Sequence, residues 1–169
     1  MDDITLQDLA ITVGSALAEQ GLMLASAESC TGGWVGQVIT SIAGSSTWYE
    51  RGFITYTDIA KREMLGVSGV TLKQYGAVSE ETAYEMAEGA LARSHAQVSV
   101  AITGIAGPGG GTAEKPVGMI CMAWIIKEGL ARTETYYFSG NREETRRQSV
   151  AAALQGAIDL LHGIPPMIA

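Results

Sequence analysis

From Leu22 onward, short apolar runs alternate with longer stretches of helical spacing, and this alternation narrows the fold more than any other feature of the chain. Leu22 to Ala27, Trp48 to Tyr56 and the β-branched run Val98 to Thr103 read as strands. Between them, Thr31 to Ile42, a short helix opened by Asp58 and closed by Gly66, and Ser79 to about Ser94 read as helices. A first helix over 4–20 carries Ile4, Leu6, Leu9, Val13 and Leu17 at helical spacing and stops at Gly21. Val117 to Ile126 and Thr133 to Phe138 flank Lys127-Glu128-Gly129, a hairpin signal. Asn141 to His162 is the last helix, ended by Gly163-Ile164-Pro165-Pro166. Such alternation predicts a sheet covered by helices on both faces, and the hairpin makes that sheet mixed. With no linker and no internal repeat, residues 1–169 read as one α/β domain.

Composition excludes several classes of function. An apolar share of 47% with 17% charged residues describes a soluble globular chain. A formal net charge of −7 makes direct nucleic-acid binding unexpected. Residues 1–50 hold no Lys or Arg, so a basic signal-peptide start is not expected, and no apolar run approaches the roughly 20 residues of a membrane span. Cys30 and Cys121 give neither metal spacing nor a disulfide framework. A cytoplasmic protein without metal or organic cofactor is expected.

Chemistry concentrates at Ala27-Glu28-Ser29-Cys30-Thr31-Gly32-Gly33, where an apolar strand turns sharply into a helix. Such a turn places two hydroxyls and a thiol at the sheet's edge, beside free N–H groups of a helix N-terminus. The same residues also suit a plain structural role, with Ser29 or Thr31 as an N-cap and the glycines allowing close packing.

A nucleophile there needs a base. His95 and His162, the only histidines, fall at helix C-termini, where imidazole suits the dipole. Of four lysines, Lys73 and Lys127 fall in polar turns and Lys115 follows a glycine loop. Lys61 stands three and four residues before Met64 and Leu65, on the apolar face of its short helix. An inward ammonium there would lose its proton readily, whereas a snorkelling stem would keep its head in water. Tyr56, five residues earlier, is either a proton relay or a rim aromatic.

Two further elements suit an anion. Thr103 to Thr112 packs five glycines between Gly104 and Gly111, enough for consecutive N–H groups to curl round a charged ligand, or simply for a flexible loop. It lacks a Walker lysine and leads to a strand, so it is neither a P-loop nor a dinucleotide fingerprint. Arg142 and Arg146 share one face near the start of the last helix, against the dipole's preference for acids, and a bound phosphate would offset that cost.

Together these motifs resemble the CinA C-terminal domain family, whose members include nicotinamide mononucleotide amidases. The resemblance runs through Ala27 to Gly33, Tyr56, Ala60-Lys61, Leu65-Gly66-Val67 and Tyr75-Gly76-Ala77-Val78-Ser79. It continues in Thr103 to Gly110, Lys115-Pro116-Val117-Gly118, Phe138, Gly140, Arg142 and Arg146, and covers nearly the whole chain. It implies a three-layer αβα sandwich that hydrolyses the carboxamide of nicotinamide mononucleotide to nicotinate mononucleotide and ammonia. It further implies Ser29 as nucleophile with Lys61 and Tyr56 as its partners.

In that scheme N–H groups at Cys30, Thr31 and Gly32 hold the oxyanion. Arg142, Arg146 and the loop with Thr103, Gly104, Gly107 and Gly109 take the nucleotide end of this small-molecule substrate. A homo-oligomer is expected. The chain departs from the family's frequent Ser-Asn at Thr57-Asp58, adding a negative charge two residues from Tyr56, which bears on substrate preference more than on the reaction. Two other readings stay open: an amidohydrolase using the Cys30 thiol, and a non-catalytic nucleotide-binding or interaction module linked to competence or DNA repair.

Overall fold

A computed structural model describes residues 3–163. The side chain of Ile4 and the stop at Pro165-Pro166 lie outside the described residues. The elements run α1 (Asp3–Gln20), β1 (Leu24–Glu28), α2 (Trp34–Thr40), a single 3₁₀ turn (Ser45–Thr47), β2 (Tyr49–Ile54), α3 (Asp58–Leu65) and α4 (Gly69–Tyr75). They continue with α5 (Glu80–Ala92), β3 (Val98–Gly104), β4 (Met119–Ile126), β5 (Ala131–Tyr137) and α6 (Arg142–Leu161). The sheet order is β2-β1-β3-β4-β5. β1 pairs parallel with both β2 and β3, while β4 is antiparallel to β3 and to β5. The mixed α/β sandwich is therefore the fold, and the antiparallel part begins at β4.

Strand periodicity assigns the two faces. Leu24 on β1, Val98, Val100 and Ile102 on β3 and Ile120, Met122 and Trp124 on β4 point to one side, where α1, α2 and α6 cover them. Their alternates, Ala25, Ala27, Ala101, Cys121 and Ala123, form a second core with α5 and with Leu65 of α3. That second face is built of small side chains, and small residues on α5 (Ala83, Ala87, Ala90) meet them. α3 then crosses α5 at Gly89, where an added Cβ would stand 2.0 Å from the Leu65 carbonyl oxygen. α3 is thereby pressed against α5 one turn beyond Lys61.

Parallel pairing brings the carboxyl ends of β1, β2 and β3 to one edge, the usual place for ligands in α/β sheets. Ser29 follows β1, Thr55 and Tyr56 follow β2, and Thr103 and Gly104 end β3.

Local expectations change at three points. The helix expected from Thr31 begins only at Trp34, because Gly32 and Gly33 both take positive φ (61° and 104°) and spend three residues on the turn. α3 is capped by Thr57, whose Oγ1 accepts from the Ala60 N–H at 3.1 Å, and Asp58 is its first residue. α4 was not expected. It is a short polar helix in which every residue is at least partly exposed, so it offers no apolar stripe to read, although Ser68 caps it.

Candidate active site

Ser29 and Lys61 meet because of strand parity. Residues 24 and 28 of β1 face the side of α2, and residues 25, 27 and the following Ser29 face the layer of α3 and α5. The consequence is a division of labour between neighbours in sequence. Glu28 turns to the start of α2, and Ser29 turns to the buried face of α3.

Glu28 is 2% exposed and accepts hydrogen bonds from the Thr31 hydroxyl at 2.6 Å and from the N–H groups of Gly33, Val35 and Gly36 at 3.2, 3.0 and 3.2 Å. A carboxylate thus fills the positive end of α2. Neither Ser29 nor Thr31 caps this helix with its own side chain; Gly33 is the N-cap residue. The Gly32 N–H donates to the Ser29 carbonyl and the Trp34 N–H to that of Thr31. Thr31 is fully buried, which leaves the N–H of Cys30, next to the serine, as the turn's donor for an incoming oxygen.

Arg146 reinforces the same turn from α6. Its Nε donates to the Cys30 carbonyl at 3.0 Å and an Nη to the Thr31 carbonyl at 3.2 Å, with the guanidinium 5.4 Å over the Trp34 ring.

On the other side, Lys61 Nζ lies 3.0 Å from Ser29 Oγ and donates to the Thr55 carbonyl at 3.1 Å. Lys61 is 1% exposed. The head is inside and not snorkelling, so burial holds its pKa below that of an ordinary lysine; Asp58 and then Cys30 oppose this weakly. Leu65 shares the buried face, but Met64, expected there too, is left at its exposed margin.

A pocket of about 270 Å³ opens on this pair. Ser29, Cys30, Tyr56, Lys61, Thr103, Gly104 and Arg142 line it, as the sequence suggests, joined by Asp58, Ala77, Val78 and Ala106. Arg142 donates to the Gly107 carbonyl at 2.8 Å and to the Tyr56 hydroxyl at 3.1 Å, tying α6, the glycine loop and the end of β2 together. Thr103 is buried and donates its hydroxyl to the Ala77 carbonyl at 2.8 Å. Thr31, Gly32, Gly107, Gly109 and Arg146 do not line the pocket. Of these, Thr31 and Arg146 shape the turn, and Gly107 anchors Arg142 through its carbonyl. A larger groove of about 540 Å³ runs along Ile59, Arg62, Glu63 and Gly69, but no nucleophile lines it.

Sequence reading missed the roles of Glu28 and the Thr55 carbonyl, and noted Asp58 for its charge without placing it in the pocket. Glu28 was legible as a carboxylate seven residues before Val35 at a helix start, whereas a carbonyl's role leaves no trace in side-chain identity.

Cys30 is 6% exposed, and burial pushes its thiol up to about 12, so it is protonated at neutral pH. Among the described residues there is no group of three or more His, Cys, Asp or Glu that could hold a metal ion. Within the same bounds, no helix is long and apolar enough to cross a membrane.

A buried lysine against a serine on a strand-to-helix turn, with the motifs that surround it, is matched by a family model described as the CinA C-terminal domain over residues 6–161. The chain belongs to the CinA C-terminal domain family. It is 52% identical over 155 residues to a protein of Escherichia coli K12 named nicotinamide-nucleotide amidohydrolase PncC, covering 92% of this chain and 94% of that one. An Enterobacter agglomerans protein of the same name is 49% identical over 158 residues, covering 94% and 96%. A longer relative, the CinA-like protein of Akkermansia muciniphila, is 52% identical over 143 residues, 85% of this chain but 34% of that one. Among solved structures, the competence/damage inducible protein CihA from Agrobacterium tumefaciens superposes with a TM-score of 0.90 at 46% identity, covering 96% of this chain and 98% of that one.

Proposed function

We propose that this amidohydrolase cleaves the carboxamide of nicotinamide mononucleotide, releasing ammonia and nicotinate mononucleotide, through a Ser29–Lys61 dyad. The observation that carries the reading is the 3.0 Å approach of Lys61 Nζ to Ser29 Oγ inside a desolvated site, in a chain about half identical to named nicotinamide-nucleotide amidohydrolases.

Neutral Lys61 takes the Ser29 proton as Oγ bonds to the amide carbon. The carbonyl π pair moves onto oxygen, which the N–H of Cys30, a residue lining the pocket, receives. Collapse breaks the C–N bond. The proton held by Lys61 passes to the departing nitrogen, giving ammonia and an ester on Ser29. Water then attacks the ester, Lys61 accepts its proton and returns one to Ser29 Oγ, and the carboxylic acid leaves. Thr55 holds the amine's aim throughout, because its carbonyl accepts an N–H in either protonation state.

About 270 Å³ falls just below the roughly 300–1,000 Å³ of pockets for drug-sized ligands. It suits the pyridine ring with its amide, leaving ribose and phosphate at the open rim near Arg142. Tyr56, 59% exposed and tethered by Arg142, forms part of that rim and positions the ring or relays a proton to the leaving group. The buried, protonated thiol of Cys30 weighs against a cysteine nucleophile.

The test is to incubate the protein with nicotinamide mononucleotide and follow ammonia and the deamidated nucleotide together. Equimolar release supports the reading. Tight nucleotide binding with no ammonia would favour the non-catalytic module instead.

A further inference from the structure

The pocket that opens on Ser29 carries charge of both signs, and its arrangement bears on which amides enter. Among the described residues lining it, Asp58 is the one acidic side chain. It is the first residue of α3, three positions before Lys61, so its backbone is fixed by the same helix that aims the amine. Its side chain is exposed, and neither a hydrogen bond nor an ion pair is seen to engage its carboxylate among the described residues. Its helix does not need that carboxylate as a cap, since Thr57 supplies one. Arg142 lines the same pocket from α6, its guanidinium donating to the Gly107 carbonyl and the Tyr56 hydroxyl. The pocket therefore offers a free anion on α3 and a fixed cation on α6 around one nucleophile.

We propose that Asp58 is a specificity-determining residue that selects amides borne on a cationic ring, its carboxylate facing the pyridinium while Arg142 faces the phosphate. This deepens the reading given under Proposed function and rests on it. Oxidised nicotinamide mononucleotide is such a zwitterion, with a positive ring and an anionic phosphate. An uncharged aromatic amide of the same shape lacks the attraction to Asp58 and keeps the rest. Coulomb attraction at a partly exposed site is modest, so selection amounts to a preference and not an absolute barrier.

The test is equilibrium binding in the Ser29→Ala background, where no ligand is consumed. Two ligands are compared by calorimetry, nicotinamide mononucleotide and benzamide riboside 5′-monophosphate, which keeps the carboxamide, ribose and phosphate on a neutral ring. Asp58→Asn is expected to weaken the cationic ligand about three- to fivefold, and the neutral one less than about twofold. Asp58→Glu, which keeps the charge, is expected to recover most of the difference. The gap between the two ligands should shrink as salt is raised.

Equal weakening of both ligands by Asp58→Asn, or no change in either, would overturn the assignment while leaving the substrate reading intact. Failure of the folded Ser29→Ala protein to bind either ligand would overturn the substrate reading and this proposal with it. Thermal melting of each variant separates lost affinity from lost fold, and Asp58→Asn keeps the Thr57 cap.

Discussion

Lys61 Nζ and Ser29 Oγ are 3.0 Å apart although 32 residues separate them in sequence, and the sheet's own periodicity brings them together. Ser29 inherits its direction from β1, whose odd-numbered residues face α3 and α5. Lys61 inherits its direction from the buried face of α3, which it shares with Leu65. The flanking residue Glu28, pointing the opposite way, fixes the start of α2.

Glu28→Gln is expected to cost stability more than chemistry. The carboxylate accepts four hydrogen bonds, three of them from backbone N–H groups, and glutamine would present an NH₂ to donors already facing it. Loss of charge-assisted bonds to a buried turn should cost about 2–3 kcal/mol, and so lower the melting temperature by roughly 5–10 °C. A variant that melts with the parent would show that the helix end needs no anion.

How much of this was legible in the sequence depends on what each residue's role leaves behind. The strand-helix alternation, the Ser29 turn and the place of Lys61 on an apolar helix face were legible because they follow from period and residue type, but period alone left an inward and a snorkelling ammonium both open. Met64 was misplaced because a three-residue offset puts a side chain at the margin of a helix face as readily as on it. Arg146 was expected at the ligand and is instead held by the Cys30 and Thr31 carbonyls, a contact across 116 residues that no local pattern encodes. The fold's tight packing at Gly89 is equally invisible, since a glycine inside a helix reads only as a weak helix former.

The two arginines should separate kinetically. Arg142 lines the pocket, so Arg142→Ala is expected to raise KM for nicotinamide mononucleotide about tenfold or more with a smaller effect on kcat. Arg146 holds the nucleophile's turn, so Arg146→Ala should lower kcat with less change in KM. Steady-state kinetics of both variants checks this. Indistinguishable profiles would mean that the two guanidinium groups serve the same end of the ligand.

Cys30→Ala should retain most activity and cost about 1 kcal/mol of stability through lost packing. Because burial pushes the thiol up to about 12, iodoacetamide at neutral pH should leave turnover unaffected. Rapid inactivation that substrate prevents would transfer the nucleophile's role to the thiol.

The depressed pKa of Lys61 also ties stability to pH. Its folded-state value lies below that of the unfolded chain, so the unfolded chain binds more protons between the two values. Stability contributed by this site therefore rises with pH from the depressed value up to about 10.4, and falls as pH drops through that window. Lys61→Met removes the titrating amine, so the stability difference between parent and variant should change over that window and be flat below it. A constant difference at all pH values would show that the amine is not desolvated.

The most direct measurement of the dyad is the pH dependence of kcat/KM for nicotinamide mononucleotide in the parent, Lys61→Met and Lys61→Arg proteins. A neutral amine must accept the Ser29 proton, so the parent's rate should rise with pH through one ionisation below the ordinary lysine range, held down there by burial. Met keeps the apolar stem without the amine, and Arg keeps the charge without a basic site near neutral pH. Both should fold, lose at least about 10³-fold in rate and lose that ionisation from the profile. An Arg variant with parental activity, or a parent profile without the ionisation, would contradict the Ser29–Lys61 account.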